Sequence, residues 1–279
     1  MESFFSFLEK RVDDCSSLLC IGLDPHIPDL KEPTAASARD FCLNLVKQTS
    51  RYAAAFKPNA AFFEVFGADG WIALKEVIDA IQEESNRMGS MIPVILDAKR
   101  GDIASTAEAY AKSAFENLDV DCITLSPYLG KDSIEPFIQK SEKGVFLLCK
   151  TSNPGSGDLQ DLMVTIGDGQ SSMVYLYEQV AKLAQQWNTK NNIGLVVGAT
   201  HIEAMKRVRA AAPDLWFLAP GVGAQGGELE SALKAGLRKD GKGMLIPVSR
   251  GIARAEKPGV AAAEMRDEIL QIKSELTKH

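Results

Sequence analysis

The sequence holds few cysteines, few histidines and no strongly charged run, and each shortage closes off a class of function. Five cysteines (Cys15, Cys20, Cys42, Cys122 and Cys149) are dispersed among 279 residues with no Cys-x-x-Cys spacing, so neither a paired-cysteine zinc site nor a disulfide framework is expected. Several lie inside apolar runs, where a reduced thiol packs as a small hydrophobe; a reducing, cytoplasmic setting follows as an expectation. Lys and Arg number 31 against 37 Asp and Glu, a net charge of −6, and no basic cluster marks a nucleic-acid surface. No uncharged apolar run approaches the ~18 residues of a membrane span. The amino-terminal MESFFSFLEKRVDDC lacks the cationic region of a signal peptide, and Glu9, Lys10 and Arg11 interrupt its apolar stretch. With Met1 at one end and a short tail after Leu276 at the other, the chain reads as free-standing. The three histidines take bland readings: His26 in a loop, His201 opening a helix, His279 terminal. HExxH, GxSxG and P-loop signatures are all missing.

What the sequence does have is alternation. Eight short apolar runs begin at Ser17, Ala53, Ile92, Asp121, Gly144, Ile193, Leu215 and Gly243, and longer segments with helical character lie between them. Near-continuous apolar strands belong to a sheet buried on both faces. Leu74, Val77, Ile78 and Ile81 share one helical face, as do Tyr177, Val180, Ala184 and Trp187, and Met265, Ile269, Ile272 and Leu276. Pro258 suits the first turn of the last helix, and Trp71, Trp187 and Trp216 fit packing positions. Eight βα units in one chain of this length predict a single-domain (β/α)8 TIM barrel over 1–279, ahead of an open doubly wound sheet. The Gly/Ser/Asp-rich stretch 151–172 is expected to be a long loop after the fifth strand, either a lid or a solvated insertion.

Barrel active sites lie at the carboxyl ends of the strands, which singles out Asp24, Lys57, Asp97, Lys99, Ser152, Gln225 and Arg250. Asp97 and Lys99, two apart on a strand, share a face, and Lys57 ends the neighbouring strand. With Asp102 just beyond, a Lys–Asp–Lys–Asp array would keep both lysines ionised and set an ammonium donor where a carbanion-like centre needs a proton. The plain alternative is a structural ion pair closing the barrel mouth. A second constellation, APGVGAQGGE after the seventh run and SRG after the eighth, fits a phosphate corner built from backbone N–H groups with Arg250 as a clamp; its alternative is a tight turn. Gly221, Gly223 and Gly226 satisfy GxGxxG, but after a seventh strand, with Asp240 in a turn, they do not make a dinucleotide site.

DAKRGDIAST (Asp97–Thr106) resembles the DxKxxDIxxT pattern of the orotidine 5'-phosphate decarboxylase family at every specified position. GLDP at Gly22–Pro25, FKPN at Phe56–Asn59, TSNPG at Thr151–Gly155, PGVGAQGG at Pro220–Gly227 and SRG at Ser249 follow the family's order, so the resemblance spans nearly the whole chain. Metal-dependent phosphosugar barrels share DxKxxD, but the resemblance implies an acidic residue in them where this chain has Lys57. The length and the loop after the fifth strand look like the longer, type 2-like branch; Ser249 stands where many shorter members have glycine. The resemblance implies decarboxylation of orotidine 5'-monophosphate to UMP and CO2 in pyrimidine biosynthesis, with no metal and no cofactor, by a homodimer whose sites lie at the interface. Lys99 is implied as proton donor to C6, Asp97 as neighbour of the substrate carboxylate, and Lys57 as bridge between ribose and array. Asp102 and Thr106 would reach in from the other protomer. Asp24 would bind the ribose hydroxyls, Ser152 the pyrimidine edge, and Gln225 and Arg250 the phosphate, with Pro220 also in the substrate-binding set and closure of the 221–228 loop expelling water. Two other readings stand beside it: a metal-dependent phosphosugar aldolase or epimerase, and a non-catalytic barrel that binds a nucleotide or sugar phosphate.

Overall fold

The computed structural model describes residues 2–166, 172–222 and 226–276. In chain order the elements are α1 (Phe4–Cys15), β1 (Leu19–Leu23), α2 (Ala35–Thr49), β2 (Ala55–Pro58), α3 (Ala61–Glu64), α4 (Gly67–Met88), β3 (Ile95–Arg100) and α5 (Ala104–Lys112). Then come β4 (Cys122–Leu125), β5 (Gly144–Lys150), β6 (Met163–Ile166), β7 (Ser172–Tyr175), α6 (Leu176–Trp187), β8 (Ile193–Val197) and α7 (Ile202–Ala211). β9 (Phe217–Leu218), α8 (Gly226–Gly236), β10 (Met244–Val248), α9 (Arg250–Ala253) and α10 (Pro258–Leu276) complete the chain.

Each of the eight apolar runs supplies one strand of an eight-stranded sheet in the order β2-β1-β10-β9-β8-β5-β4-β3. All its ladders are parallel. The two ends of that order meet through the isolated bridges Phe56↔Val94 and Asn59↔Asp97, with the Phe56 and Ala60 N–H groups donating to the Pro93 and Asp97 carbonyls at 2.9 and 3.1 Å. The sheet is thus a nearly closed barrel, and the open doubly wound alternative falls.

The predicted helical faces pack inward. Leu74, Val77, Ile78 and Ile81 are all buried, and α10 starts at Pro258 with Ile269 buried. In α6, Tyr177 and Ala184 are buried while Val180 and Trp187 are partly so. Two connections depart from the βα rule. Between β4 and β5 there are only short 3-10 turns, Lys131–Ser133 and Glu135–Phe137, in place of a helix. Within 151–172, read from sequence as a long loop, lie a 3-10 turn at Pro154–Asp158 and the strand β6, which pairs antiparallel with β7.

α1 closes the amino-terminal end of the barrel. Ser3 caps it, accepting from the Ser6 N–H. Phe4 and Phe5 are then driven into the strand starts, where Phe5 stacks on Trp216 at 6.2 Å between centroids and meets Phe146 edge-on at 5.5 Å. Glycine makes the room: a Cβ at Gly144 would lie 2.2 Å from Phe4 Cδ1, and one at Gly194 would lie 2.6 Å from Phe146 and 2.8 Å from Phe5.

Candidate active site

At the opposite end, three of the predicted charges form one chain of contacts. Lys57 Nζ donates to Asp97 Oδ2 at 2.9 Å and Lys99 Nζ to Asp97 Oδ1 at 2.5 Å. The Lys57 and Asp97 side chains are 10% and 13% exposed, whereas Lys99 is 50% exposed, its ammonium open to the barrel mouth. Burial opposes the charge on Lys57, but Asp97 and Asp24 outweigh it and hold its pKa up at about 12. Burial likewise opposes the Asp97 carboxylate, and the two lysines overcome it, holding Asp97 at about 2. The Lys57–Asp97 pair is therefore ionised at neutral pH.

The i, i+2 reading of β3 needs one correction. The pairing of β3 with β4 slips between Leu96 and Arg100, and Lys99 takes a left-handed φ of 48°. Asp97 and Lys99 meet across a bulge in the strand, not along a regular pleat. Such a conformation is costly for a residue with a Cβ, and it turns the Lys99 side chain back toward the Asp97 carboxylate.

Asp24, just past β1, connects this array to a cavity of about 900 Å³ whose wall also includes Gly221, Ser249 and Arg250. Asp24 Oδ1 and Ser249 Oγ are buried there without a hydrogen-bond partner among the described residues, polar atoms of the kind a ligand satisfies. Gly22 is needed for the close approach of β1 to the end of β10, since a Cβ on it would sit 2.7 Å from Ser249 Cβ. Gly221, at φ 96°, lies on the other rim beside Ser152 and Thr200, and the Pro220 carbonyl accepts from the Ala199 N–H at 2.8 Å.

Asp102 and Thr106 are not brought to the array by their own chain. Asp102 Oδ1 accepts the Ile103 N–H at 2.8 Å, Thr106 is exposed on the first turn of α5, and neighbouring Ile103 is 51% exposed. Gln225 and much of the 221–228 segment lie outside the described residues. His26 lies in the loop after β1, edge-on to Phe62 and on the wall of the same cavity, and His201, at the start of α7, caps nothing with its side chain and keeps Nε2 buried without a hydrogen-bond partner among the described residues. Among the described residues no group of three His, Cys, Asp or Glu is placed to hold a metal.

Two residues escaped the sequence reading. Lys150, at the end of β5, buries its ammonium against Asp161 at 2.7 Å and Ser156 at 3.1 Å, anchoring the segment that carries Ser152. The Thr124 hydroxyl donates to Asp97 Oδ1 at 3.0 Å. Both sit inside apolar runs, where a lone polar residue was the available signal.

Residues 17–265 match the orotidine 5'-phosphate decarboxylase / HUMPS family. The chain belongs to that family. An orotidine 5'-phosphate decarboxylase of Roseiflexus castenholzii is 46% identical over 275 residues, 97% of this chain and 96% of that one. The enzyme of the same name from Roseiflexus sp. (strain RS-1) is 48% identical over 265 residues, covering 92% and 91%. The solved OMP decarboxylase of Leishmania donovani superposes with a TM-score of 0.86 at 54% identity, covering 98% of this chain and 99% of that one. The family also takes in the HUMPS proteins, and these relatives, aligned over nearly their whole length, carry the decarboxylase name.

Proposed function

We propose that this chain decarboxylates orotidine 5'-monophosphate to UMP and CO2, the last step of UMP biosynthesis, and that the Lys57–Asp97–Lys99 array carries the chemistry. The observation that carries the reading is the single Asp97 carboxylate held by two ammonium groups beside a cavity whose polar atoms Asp24 Oδ1 and Ser249 Oγ have no partner among the described residues.

The physical difficulty of the reaction is a carbanion at C6 whose electron pair lies in the ring plane and has nothing to delocalise it. Stabilisation has to come from charge already in place. In the proposed step the bond from C6 to the carboxylate breaks, the electron pair stays on C6, CO2 leaves, and C6 takes a proton from Lys99 Nζ, which regains one from solvent. An ammonium fixed before reaction stabilises the transition state more than the ground state and so lowers the barrier. Asp97 sits beside the departing carboxylate, where like-charge repulsion is relieved as neutral CO2 forms; Lys57 keeps Asp97 ionised and bridges toward the ribose. Asp24 and Ser152 take the ribose hydroxyls and the pyrimidine edge. Arg250, with Gln225 and the backbone around Pro220, takes the phosphate, whose remote binding energy drives closure over the site. Asp102 and Thr106 complete the site from a second copy, which makes the active form a homodimer; the exposure of Thr106 beside an exposed Ile103 supports this.

The reaction needs no metal or cofactor in this reading, and its setting is cytoplasmic. All five cysteines are free and buried, and no described helix is long and apolar enough to cross a membrane. The test is the absorbance change of orotidine 5'-monophosphate with purified protein, with and without EDTA. Equal turnover in both is the expected result; loss with EDTA overturns the metal-free step, and no turnover by folded protein in either overturns the assignment.

A further inference from the structure

The bulge that aims Lys99 is held by one side chain that belongs to neither the array nor the cavity wall. Where the β3–β4 ladder slips between Leu96 and Arg100, the Ala98 and Lys99 N–H groups are drawn out of the regular strand pairing. Both donate to Thr124 Oγ1, each at 3.0 Å, and the same hydroxyl gives its own proton to Asp97 Oδ1 at 3.0 Å. A hydroxyl has one proton and two lone pairs, so all of its capacity is spent on three consecutive residues, Asp97, Ala98 and Lys99. Thr124 is only 1% exposed, on β4, flanked by Ile123 and Leu125 in register with Val145 and Leu147 of β5. Its position is therefore set by the barrel wall.

We propose that Thr124 is a positioning residue for the proton transfer: its hydroxyl fixes the left-handed backbone at Lys99 and the orientation of the Asp97 carboxylate, and so aims the Lys99 ammonium. The inference rests on Lys99 as the proton donor. Without the hydroxyl, two part-buried N–H groups lose their acceptor, and Lys99 loses the contacts that offset its unfavourable φ. A shift of the reacting group by about 1 Å is enough to lower turnover by ~100-fold.

The experiment compares Thr124→Val, which keeps shape and removes the hydroxyl, with Thr124→Ser, which keeps the hydroxyl and removes a methyl. For Thr124→Val, kcat is expected to fall at least about tenfold with KM for orotidine 5'-monophosphate held within about threefold, while Thr124→Ser stays within about threefold of the parent kcat. The exchange of the UMP C6 hydrogen for deuterium in D2O, which runs the protonation backwards, is expected to slow in step with kcat. Folding is checked by thermal melting, and if Thr124→Val does not fold, Thr124→Cys takes its place under the same tenfold criterion. A kcat within about twofold of the parent overturns the proposal. So does a Ser variant as impaired as the Val variant, or a fall in kcat with C6 exchange unchanged. Failure of the underlying reading looks different: Lys99→Ala would then keep its turnover.

Discussion

The two ends of the barrel are built from opposite materials. At the amino-terminal end, Phe4, Phe5, Phe146 and Trp216 fill the opening, with glycines at 144 and 194 giving way to aromatic rings. At the carboxyl-terminal end, the space is edged by charge, by a lysine in a left-handed conformation and by polar atoms without partners among the described residues. One end gains stability from apolar burial; the other keeps ions in place against their desolvation, which costs several kcal/mol per ion before pairing repays it. Stability and reactivity are assigned to different ends, so the two ought to respond separately to substitution.

The largest expected effect is at the aromatic end. Phe5→Ala should cost ~3–5 kcal/mol of stability, read as a fall in melting temperature of about 10 °C, with kcat per folded molecule unchanged. A loss of kcat in the folded fraction would break the separation. At the charged end, Lys99→Ala should reduce turnover by at least ~100- to 1000-fold, the usual consequence of removing a preorganised donor, while UMP still binds and the melting temperature holds or rises; near-normal turnover would remove Lys99 from the proton-donor role. Arg250→Ala is expected to raise KM by roughly 10- to 100-fold, the range of a charge-assisted hydrogen bond, measured in steady-state assays against substrate concentration. The smallest effect is a null one: between about pH 5 and 9 neither kcat nor thermal stability should carry an ionisation belonging to Lys57 or Asp97. Asp97 lies below its ordinary 3.8, at about 2, so its contribution to stability is complete above the ordinary value and is lost as pH falls through about 2. Lys57 lies above its ordinary 10.5, at about 12, so its contribution is complete below the ordinary value and is lost as pH rises through about 12. A step near neutrality in a melting-temperature profile that disappears in Asp97→Asn would contradict the ionised array.

The sequence made the barrel legible because a strand covered on both faces has to be apolar throughout, as the fully buried β1, β4 and β8 are. The charged array was legible for the converse reason: Lys57, Asp97 and Lys99 interrupt such runs, and ions there demand partners. What was hidden depends on neighbours in space. Nothing in the order Asp-Ala-Lys announces a bulge, since the acceptor that captures its N–H groups stands on the next strand at Thr124. A threonine inside CITL reads as a β-branched strand former. The β6–β7 hairpin was hidden because the residues around it are those of a turn-rich loop, and α1 because its role as a plug follows from glycines far along the chain at 144 and 194.

The barrel ring has a seam. Between β2 and β3 the backbone pairing consists of two isolated bridges, and the Lys57–Asp97 contact crosses that joint. The pair proposed to organise the reaction is thus also a clasp between the first and last strands of the sheet order. In hydrogen-exchange terms, the amides of Phe56 and Ala60 report on how often the clasp opens, and a ligand held by the array will protect a pair of amides that belong to the scaffold.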